Sequence, residues 1–249
     1  MRVGILGCGN IASIISDYDL EVEVVALYDR NLQKAKDLSK KFNATACESF
    51  EEFIKKDFDT VLEIASFDAV RSYAPKILEN KNMIILSSGA LMDKEFRSYI
   101  LNIAKKNSKY IRVPSGALFG VDNAKVLSFS KYKKVFIKSS KNPEEFGFLD
   151  EKKLVFKGKA SECIKLYPKQ TNVTVTISLA TGVDADVEIW SDPDIEDNIH
   201  ELFLEGDFGK TYIKIDNIPS PKNPKTSFLA ALSIVALFKE MNKNFIIGT

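Results

Sequence analysis

The segment Val3-Gly4-Ile5-Leu6-Gly7-Cys8-Gly9-Asn10-Ile11-Ala12 decides the fold of this chain. Its apolar start predicts a buried strand, and glycines at positions 7 and 9 and the small Ala12 follow directly. This is the G-x-G-x-x-G/A pattern of a dinucleotide-binding turn that leads from a strand into a helix. The first glycine permits a tight turn, the second lets the backbone approach a pyrophosphate, and the third small residue lets the helix pack on the strand.

The residues that follow the turn bear on the choice of cofactor. A second β-branched run, residues 22–28, ends at Asp29, about 20 residues after the turn, where a carboxylate typically binds the ribose hydroxyls. Asp29 favours NAD because it would repel a 2′-phosphate, whereas Arg30 could stack on adenine or bind that phosphate. We predict NAD as the cofactor, with NADP possible. The expected ligands from this part of the chain are Gly7, Cys8, Gly9, Asn10, Ile11, Asp29 and Arg30.

Strands and helices alternate through the first half of the chain. The patterns predict strands at residues 3–6, 22–28, 60–65, 83–86 and 110–113, and helices at residues 31–42, 49–55, 68–78 and 93–106. Short links between them imply a parallel sheet covered by helices on both faces. Small residues follow two of these strands at the carboxyl edge of the sheet, where a nicotinamide is expected. We predict that they line the cofactor: Ala65, Ser66, Ser88 and Gly89.

The second half has a different pattern. Strands are predicted at residues 133–138 and 152–156, a helix at 172–179, and a run of antiparallel strands at 184–190, 199–205 and 210–215. A proline-rich loop at 219–224 precedes a final amphipathic helix at 227–241. We therefore expect an α/β protein, with an N-terminal Rossmann-type parallel sheet and a second α+β domain containing a mostly antiparallel sheet. The expected divisions are residues 1–113, 114–224 and 225–249, with the C-terminal helix returning to the first domain.

Composition and charge exclude several classes of protein. The 249 residues are 45% hydrophobic, and 35 basic against 34 acidic residues give no signature of nucleic-acid or membrane-surface binding. No apolar run reaches about 18 residues and no signal peptide is evident, so we expect a cytoplasmic protein. Three widely spaced cysteines suggest neither a disulfide framework nor a thiolate metal site, and one histidine excludes His-rich zinc chemistry. We expect no metal site.

Six segments of the chain resemble the L-aspartate dehydrogenases. They span nearly the whole chain in the family's order: Gly7-Cys8-Gly9-Asn10-Ile11-Ala12, Pro114-Ser115-Gly116-Ala117-Leu118-Phe119-Gly120, Asn172-Val173, Asn198-Ile199-His200-Glu201-Leu202, Gly206-Asp207-Phe208-Gly209 and Asn223-Pro224-Lys225-Thr226-Ser227. The chain departs from the family's pattern at Ala12, where many members have glycine, and at Gln170-Thr171.

The resemblance implies oxidative deamination of L-aspartate to oxaloacetate and ammonia with NAD or NADP. It also implies a second domain that carries the catalytic residue and forms a homodimer. The family's catalytic histidine falls on His200, and two further cofactor contacts fall on Ala117 and Asn172. A further hypothesis is that the intermediate, iminoaspartate, supplies NAD biosynthesis.

The chemistry of His200 agrees with this role. Removing hydride from an amino acid and adding water to the imine both need a group that exchanges protons near neutral pH, and histidine is suited to that. His200 is the single histidine of the chain, and the period-two pattern places Asn198, His200 and Leu202 on one strand face. A structural or surface histidine remains the alternative.

A dicarboxylate substrate needs cationic or amide-rich contacts. Residues 223–227 are expected to open the last helix, so Lys225 and Thr226 would offer an ammonium, a hydroxyl and free amides. Ser115 and Gly116 would let backbone approach a ligand. We predict that both loops line a substrate cleft between the domains, the alternatives being a helix cap and an ordinary turn.

Two other functions stay open at this point. One is a different Rossmann reductase, although a sugar dehydrogenase would carry a Glu-Lys-Pro segment where this chain has Ser87-Ser88-Gly89-Ala90, and a dihydrodipicolinate reductase typically has a His-His pair. The other is a non-enzymic redox sensor that binds NAD(H).

Overall fold

The computed structural model describes residues 1–146, 151–168, 171–220 and 223–247. Two compact units divide the chain. The first contains residues 1–114 and 231–245, and the second contains residues 115–230 and 246–249.

A six-stranded parallel sheet forms the centre of the first unit, with strand order β3-β2-β1-β4-β5-β6. Its strands are β1 (Arg2–Leu6), β2 (Glu23–Tyr28), β3 (Thr45–Ala46), β4 (Thr60–Glu63), β5 (Asn82–Ile85) and β6 (Ile111–Arg112). The connecting helices are α1 (Asn10–Ile15), α2 (Leu32–Phe42), α3 (Phe50–Lys55), α4 (Phe67–Ile77) and α5 (Lys94–Lys106). The predicted parallel sheet is confirmed, and the order reverses direction between β1 and β4, where doubly wound sheets bind ligands. The two-residue strand β3 is too short for its pattern to predict.

Side chains at the helix starts explain why the predicted boundaries are nearly right. Asn31 accepts a hydrogen bond from the backbone N–H of Gln33, and Asp93 accepts from two N–H groups of the first turn of α5. The Ser49 hydroxyl caps α3 by accepting the backbone N–H of Glu52, whose own carboxylate accepts the N–H of Glu48.

The second unit is built on a five-stranded sheet with strand order β11-β10-β7-β9-β8. Its elements are α6 (Val121–Ala124), β7 (Tyr132–Lys141), β8 (Lys153–Lys159), α7 (Ala160–Leu166), α8 (Asn172–Thr181), β9 (Asp186–Ser191), β10 (Ile199–Gly206), β11 (Gly209–Asp216), β12 (Pro219–Ser220) and β13 (Asn223–Ser227). Three of the four strand pairings are antiparallel, so the mostly antiparallel sheet is confirmed. The prediction that β9 and β10 are successive strands of one antiparallel run is wrong, because β9 pairs in parallel with β7. Helix α7 was not predicted.

The segment before the last helix is also different from the prediction. Residues 219–224 were expected to form a loop, and residues 223–227, with Lys225 and Thr226, to open the helix. Instead β12 and β13 form an antiparallel pair, and helix α9 begins one residue later, as Phe228–Met241. The hairpin pairs backbone groups that a first helical turn would leave without partners, so Lys225 and Thr226 do not lie at a helix start. Within the described residues, no helix is both long and apolar enough to cross a membrane.

Candidate active site

The two glycines of the β1–α1 turn are needed for different reasons. Gly7 has φ +105°, and a Cβ there would lie 2.7 Å from the backbone of Ala65, so the turn packs directly on the residue that follows β4 by two positions. Gly9 precedes α1 in extended backbone, and a Cβ there would meet nothing within 4 Å. Gly7 is therefore required by packing, whereas Gly9 leaves an open side on which a ligand can approach the backbone.

A cavity of about 280 Å³ opens beside this turn, within the first unit. Six of the predicted cofactor ligands line it together: Gly7, Gly9, Asp29, Arg30, Ala65 and Ser66. Lys34, Asp68 and Tyr73 also line it, although no sequence motif indicated them. Cys8 and Ser88 are buried, and burial raises the pKa of the Cys8 thiol to about 12, so this thiol is not reactive.

The carboxylate of Asp29 is held in place from both sides. One oxygen accepts the backbone N–H of Cys8 and the other accepts that of Asn31, each at 2.8 Å. Arg30 and Lys34 bring positive charge to the same cavity. The cavity therefore offers an open glycine backbone, an oriented carboxylate and two cations. Together these groups suit the pyrophosphate, the ribose and the adenine end of NAD or NADP.

In the second unit, His200 lies on the buried face of β10. It is 4% exposed, it pairs with Ser139 of β7 on one side and Ile215 of β11 on the other, and its Nδ1 lies 2.9 Å from the Ser139 hydroxyl. The predicted alternation of this strand is confirmed, since Leu202 is buried and Glu201 is half-buried. Burial, and secondly the charge of Lys141, lower the pKa of His200 to about 3, so the imidazole is neutral.

Four further polar residues share this face and with His200 form what we call the His200 cluster: Ser139, Lys141, Ser191 and Asn217. Lys141 is 6% exposed and lies opposite Ser191 of β9. Asn217 follows β11, is 4% exposed, donates its backbone N–H to Asn198, and accepts the Ser227 hydroxyl at 2.6 Å.

Two atoms of the His200 cluster have no hydrogen-bond partner among the described residues. They are the Ser191 hydroxyl and the amide nitrogen of Asn217. A buried polar group without a partner is costly, so such atoms commonly mark the place where a ligand completes a site. The strand pattern predicted that β7 ends at residue 138, whereas it continues to Lys141. The alternation puts Ser139 and Lys141 on one face of β7, and the pairing of β7 with β10 brings that face to His200.

Three predicted cofactor ligands of the first unit, Asn10, Ile11 and Gly89, do not line the cavity; they lie in the first turn of α1 and in the turn after β5. The other predicted residues lie in the second unit. Ser115 and Gly116 belong to a turn in which Gly116 has φ +64° and free space beside it. Ala117 is buried and Asn172 is the exposed first residue of α8. The side chains of Lys225 and Thr226, like residue Gln170, lie outside the described part of the chain. No group of three or more His, Cys, Asp or Glu side chains in the described ranges could hold a metal ion.

Comparison with known proteins matches both halves of the chain. Residues 3–114 match a family described as homoserine dehydrogenase, NAD binding domain, and residues 122–241 match one described as aspartate dehydrogenase, C-terminal. The chain is 46% identical to the L-aspartate dehydrogenase of Methanospirillum hungatei, with all of both chains covered. It is 39% identical to that of Methanothermobacter thermautotrophicus, over all of this chain and 99% of that one.

Solved structures agree with the sequence relatives. The aspartate dehydrogenase of Thermotoga maritima superposes with a TM-score of 0.85 at 32% identity, over 100% of this chain and 99% of that one. A myo-inositol 2-dehydrogenase from Lactobacillus plantarum, with a TM-score of 0.61, 10% identity and 97% and 87% coverage, shares the fold alone. Because full-length relatives well above 30% identity carry the same name, the chain belongs to the L-aspartate dehydrogenase family.

Proposed function

We propose that this protein oxidises L-aspartate to oxaloacetate and ammonia with NAD or NADP. The observation that carries the proposal is the His200 cluster, in which a neutral imidazole shares a buried sheet face with an ammonium and an amide. A neutral imidazole can accept a proton, and the ammonium and amide can bind carboxylates. The cavity beside the glycine turn of the same chain suits the adenosine and pyrophosphate end of the dinucleotide.

The reaction needs hydride removal followed by hydrolysis. A nicotinamide, when bound, would accept the α-hydride of aspartate, and loss of one amine proton to solvent leaves iminoaspartate. His200 takes a proton from the water that attacks the imine carbon and returns it to the nitrogen, which gives a carbinolamine. It then takes the hydroxyl proton of the carbinolamine and passes it to the nitrogen as the C–N bond breaks and ammonia leaves. We assign the tautomer in which Nδ1–H donates to the Ser139 hydroxyl, since this leaves the lone pair on Nε2 as the base. Water supplies the oxygen of oxaloacetate.

The substrate itself would adjust the basicity of His200. In the protein without substrate, Lys141 and burial hold the pKa of His200 to about 3, which makes it a weak base. A substrate carboxylate beside Lys141 would neutralise that ammonium and place negative charge near the imidazole. The pKa of His200 would then rise toward neutrality in the complex, where proton transfer is required.

The dicarboxylate has several proposed ligands. Lys141, Ser191 and Asn217 can donate hydrogen bonds from the buried face. Ser115, Gly116, Lys225 and Thr226 stay proposed substrate ligands from their positions in the family's segments. Ala117 and Asn172 stay proposed cofactor contacts on the same ground, as do Cys8, Asn10 and Ile11 beside the turn. Ser88 and Gly89 stay proposed cofactor contacts because they follow β5 at the carboxyl edge of the parallel sheet.

An assay of NAD(P)H absorbance with a panel of amino acids and both cofactors tests this function. We expect turnover with aspartate and little with alanine, which lacks the second carboxylate that the donors of the cluster would bind. We also expect little with glutamate, because its extra methylene displaces the second carboxylate from those donors. Activity with alanine or glutamate but not aspartate would overturn the substrate assignment. Tight NADH binding without turnover of aspartate or oxaloacetate would favour a redox sensor instead.

A homodimer through the outer face of the second sheet is part of the proposal. The rings of Phe136, Phe203 and Tyr212 form a row there, tilted against one another with centroids 5.6 Å and 4.6 Å apart, and Tyr212 is 53% exposed. Lys138 and Glu201 form an ion pair on the same face. Interleaved opposite charges around an aromatic row suit a second copy of the same face related by a two-fold axis.

Light scattering tests the dimer. It should give twice the chain mass for the wild type and the monomer mass for Phe203→Asp, and a monomeric wild type would contradict the proposed dimer.

We also propose that the protein is cytoplasmic and that iminoaspartate supplies NAD biosynthesis. Iminoaspartate hydrolyses readily, so a consuming enzyme must compete with water. Deleting the gene should create a nicotinate requirement, and cell fractionation should place the protein with cytoplasmic markers. A deletion strain with no such requirement and no aspartate-linked growth change contradicts the supply role.

A further inference from the structure

Glu63 is a buried carboxylate at the cofactor end of the parallel sheet. It is the last residue of β4, it is 0% exposed, and its strand neighbours are the uncharged Leu6 of β1 and Ile85 of β5. Neither the glycine motif nor the His200 chemistry uses this residue. A buried ionisable group without such a use calls for a specific explanation, because burial of a charge is costly.

The carboxylate joins two loops. One oxygen accepts the backbone N–H groups of Ala65 and Ser66, at 2.8 and 2.9 Å. The other accepts the backbone N–H of Ser87, in the loop after β5, at 3.1 Å. A single side chain thus fixes the carboxyl-end loops of two adjacent strands.

These loops shape the cofactor cavity. Ala65 and Ser66 line the cavity, and Ala65 is also the residue against which Gly7 packs. Ser66 in turn caps helix α4 through its hydroxyl. Any movement of Ala65 would therefore pass directly to the glycine turn and to the cavity wall.

We propose that Glu63 is a positioning residue of the dinucleotide site, and that its deprotonated carboxylate holds the loops after β4 and β5 in the shape that binds NAD(H). The inference rests on the proposed cofactor binding. Only the carboxylate can accept from all three N–H groups, since a protonated oxygen becomes a donor and would face an N–H group. Protonation of Glu63 therefore weakens its hydrogen bonds to one of the two loops.

Glu63 titrates in a pH range in which NADH binding can be measured. Burial raises its pKa to about 7, against the opposing effect of the three backbone N–H groups and the Ser87 hydroxyl. The titratable and charged side chains around the adjoining cavity are Tyr28, Asp29, Arg30, Lys34, Asp68 and Tyr73. A change in NADH affinity across neutral pH that is present in the wild type and absent from Glu63→Gln would therefore report Glu63.

The test is the dissociation constant of NADH, measured by fluorescence from about pH 6 to pH 8. NADH is chosen because the 2′-phosphate of NADPH titrates in the same range. The wild type should bind NADH more weakly as the pH falls, by up to about tenfold per pH unit below the pKa of Glu63. Glu63→Gln should bind weakly at every pH, since its amide N–H₂ cannot accept. Glu95→Gln removes an exposed carboxylate from the first turn of α5 and should keep the wild-type profile.

A second variant separates positioning from folding. Ser87→Ala keeps the backbone N–H but removes the hydroxyl that lowers the pKa of Glu63, so the step in NADH affinity should move to higher pH. That shift tests the positioning role of Glu63 even if Glu63→Gln fails to fold. A pH-independent wild type, or a Glu63→Gln variant that keeps the step, overturns the inference. NADH binding with the predicted step but without aspartate turnover overturns the proposed reaction and leaves this inference standing.

Discussion

Burial decides what the imidazole of His200 can do. Because it is enclosed on the inner sheet face beside Lys141, it is neutral at physiological pH in the protein without substrate. A neutral imidazole positioned through Nδ1 by Ser139 is prepared to accept a proton at its other nitrogen.

His200→Asn should lower the rate of aspartate-dependent NADH formation by about 10² to 10⁴, the usual contribution of a general acid–base group. Asparagine retains a polar group near Ser139, and the NADH dissociation constant should stay unchanged because the cofactor cavity lies in the first unit. Initial rates and NADH titration measure the two effects. A variant with near-normal turnover would return His200 to a structural role.

Asn217→Ala should raise KM for aspartate by roughly 10- to 100-fold, the equivalent of one hydrogen bond to a charged group. The reason is that its unpartnered amide nitrogen is available to a substrate carboxylate. KM for NAD should stay constant, and Asn217→Asp should bind aspartate still more weakly through charge repulsion. Steady-state kinetics give both constants. The exposed Asn123→Ala serves as the control, and equal KM values in the two variants would exclude Asn217 from the site.

At the scale of elements, the β1–α1 turn combines a structural glycine with a binding glycine. Gly7→Ala combines a strained positive φ with a 2.7 Å contact to Ala65. It should lower the free energy of unfolding by about 1–3 kcal/mol. Gly9→Ala has φ −87° and free space. It should change stability by only about 0.5 kcal/mol while weakening NADH binding, because the methyl group occupies the open side of the turn.

Urea unfolding and NADH titration of both variants make this comparison. The expected pattern is a selective loss of binding in Gly9→Ala and a loss of stability in Gly7→Ala. If Gly9→Ala binds NADH as the wild type does, the ligand does not approach the turn from that side.

At the scale of the whole molecule, two buried groups act on stability with opposite signs. The folded pKa of His200 is about 3, below its ordinary 6.5, so the unfolded chain takes up the proton first and stability falls as the pH drops below 6.5. The folded pKa of Glu63 is about 7, above its ordinary 4.5, so its contribution is present below 4.5 and is lost as the pH rises through 7.

His200→Asn should therefore reduce the acid sensitivity of the fold. Between about pH 6.5 and pH 5, the wild type should lose about 2 kcal/mol more of its free energy of unfolding than the variant does. Urea unfolding at the two pH values measures this difference. Equal losses in both proteins would show that His200 is already charged in the folded state.

Much of the first unit could be predicted because its determinants are local. Asn31, Ser49 and Asp93 cap helices through bonds that span a few residues, so each boundary is present in a short stretch of sequence. The glycine turn and Asp29 belong to one β-α-β unit, and their meeting in one cavity follows from that motif. The net charge of +1 agrees with recognition of phosphates by such local features.

The parallel sheet, the dinucleotide turn and the family could all be predicted from residues close together in the sequence. The surroundings of His200, the parallel pairing of β9 with β7 and the strand at residues 223–227 depend instead on how distant segments fold together. The His200 cluster joins β7, β9, β10 and the end of β11, and Glu63 joins loops after two strands. Pairing between distant strands and the loss of water around a side chain are properties of the assembled core, and no short stretch of sequence contains them.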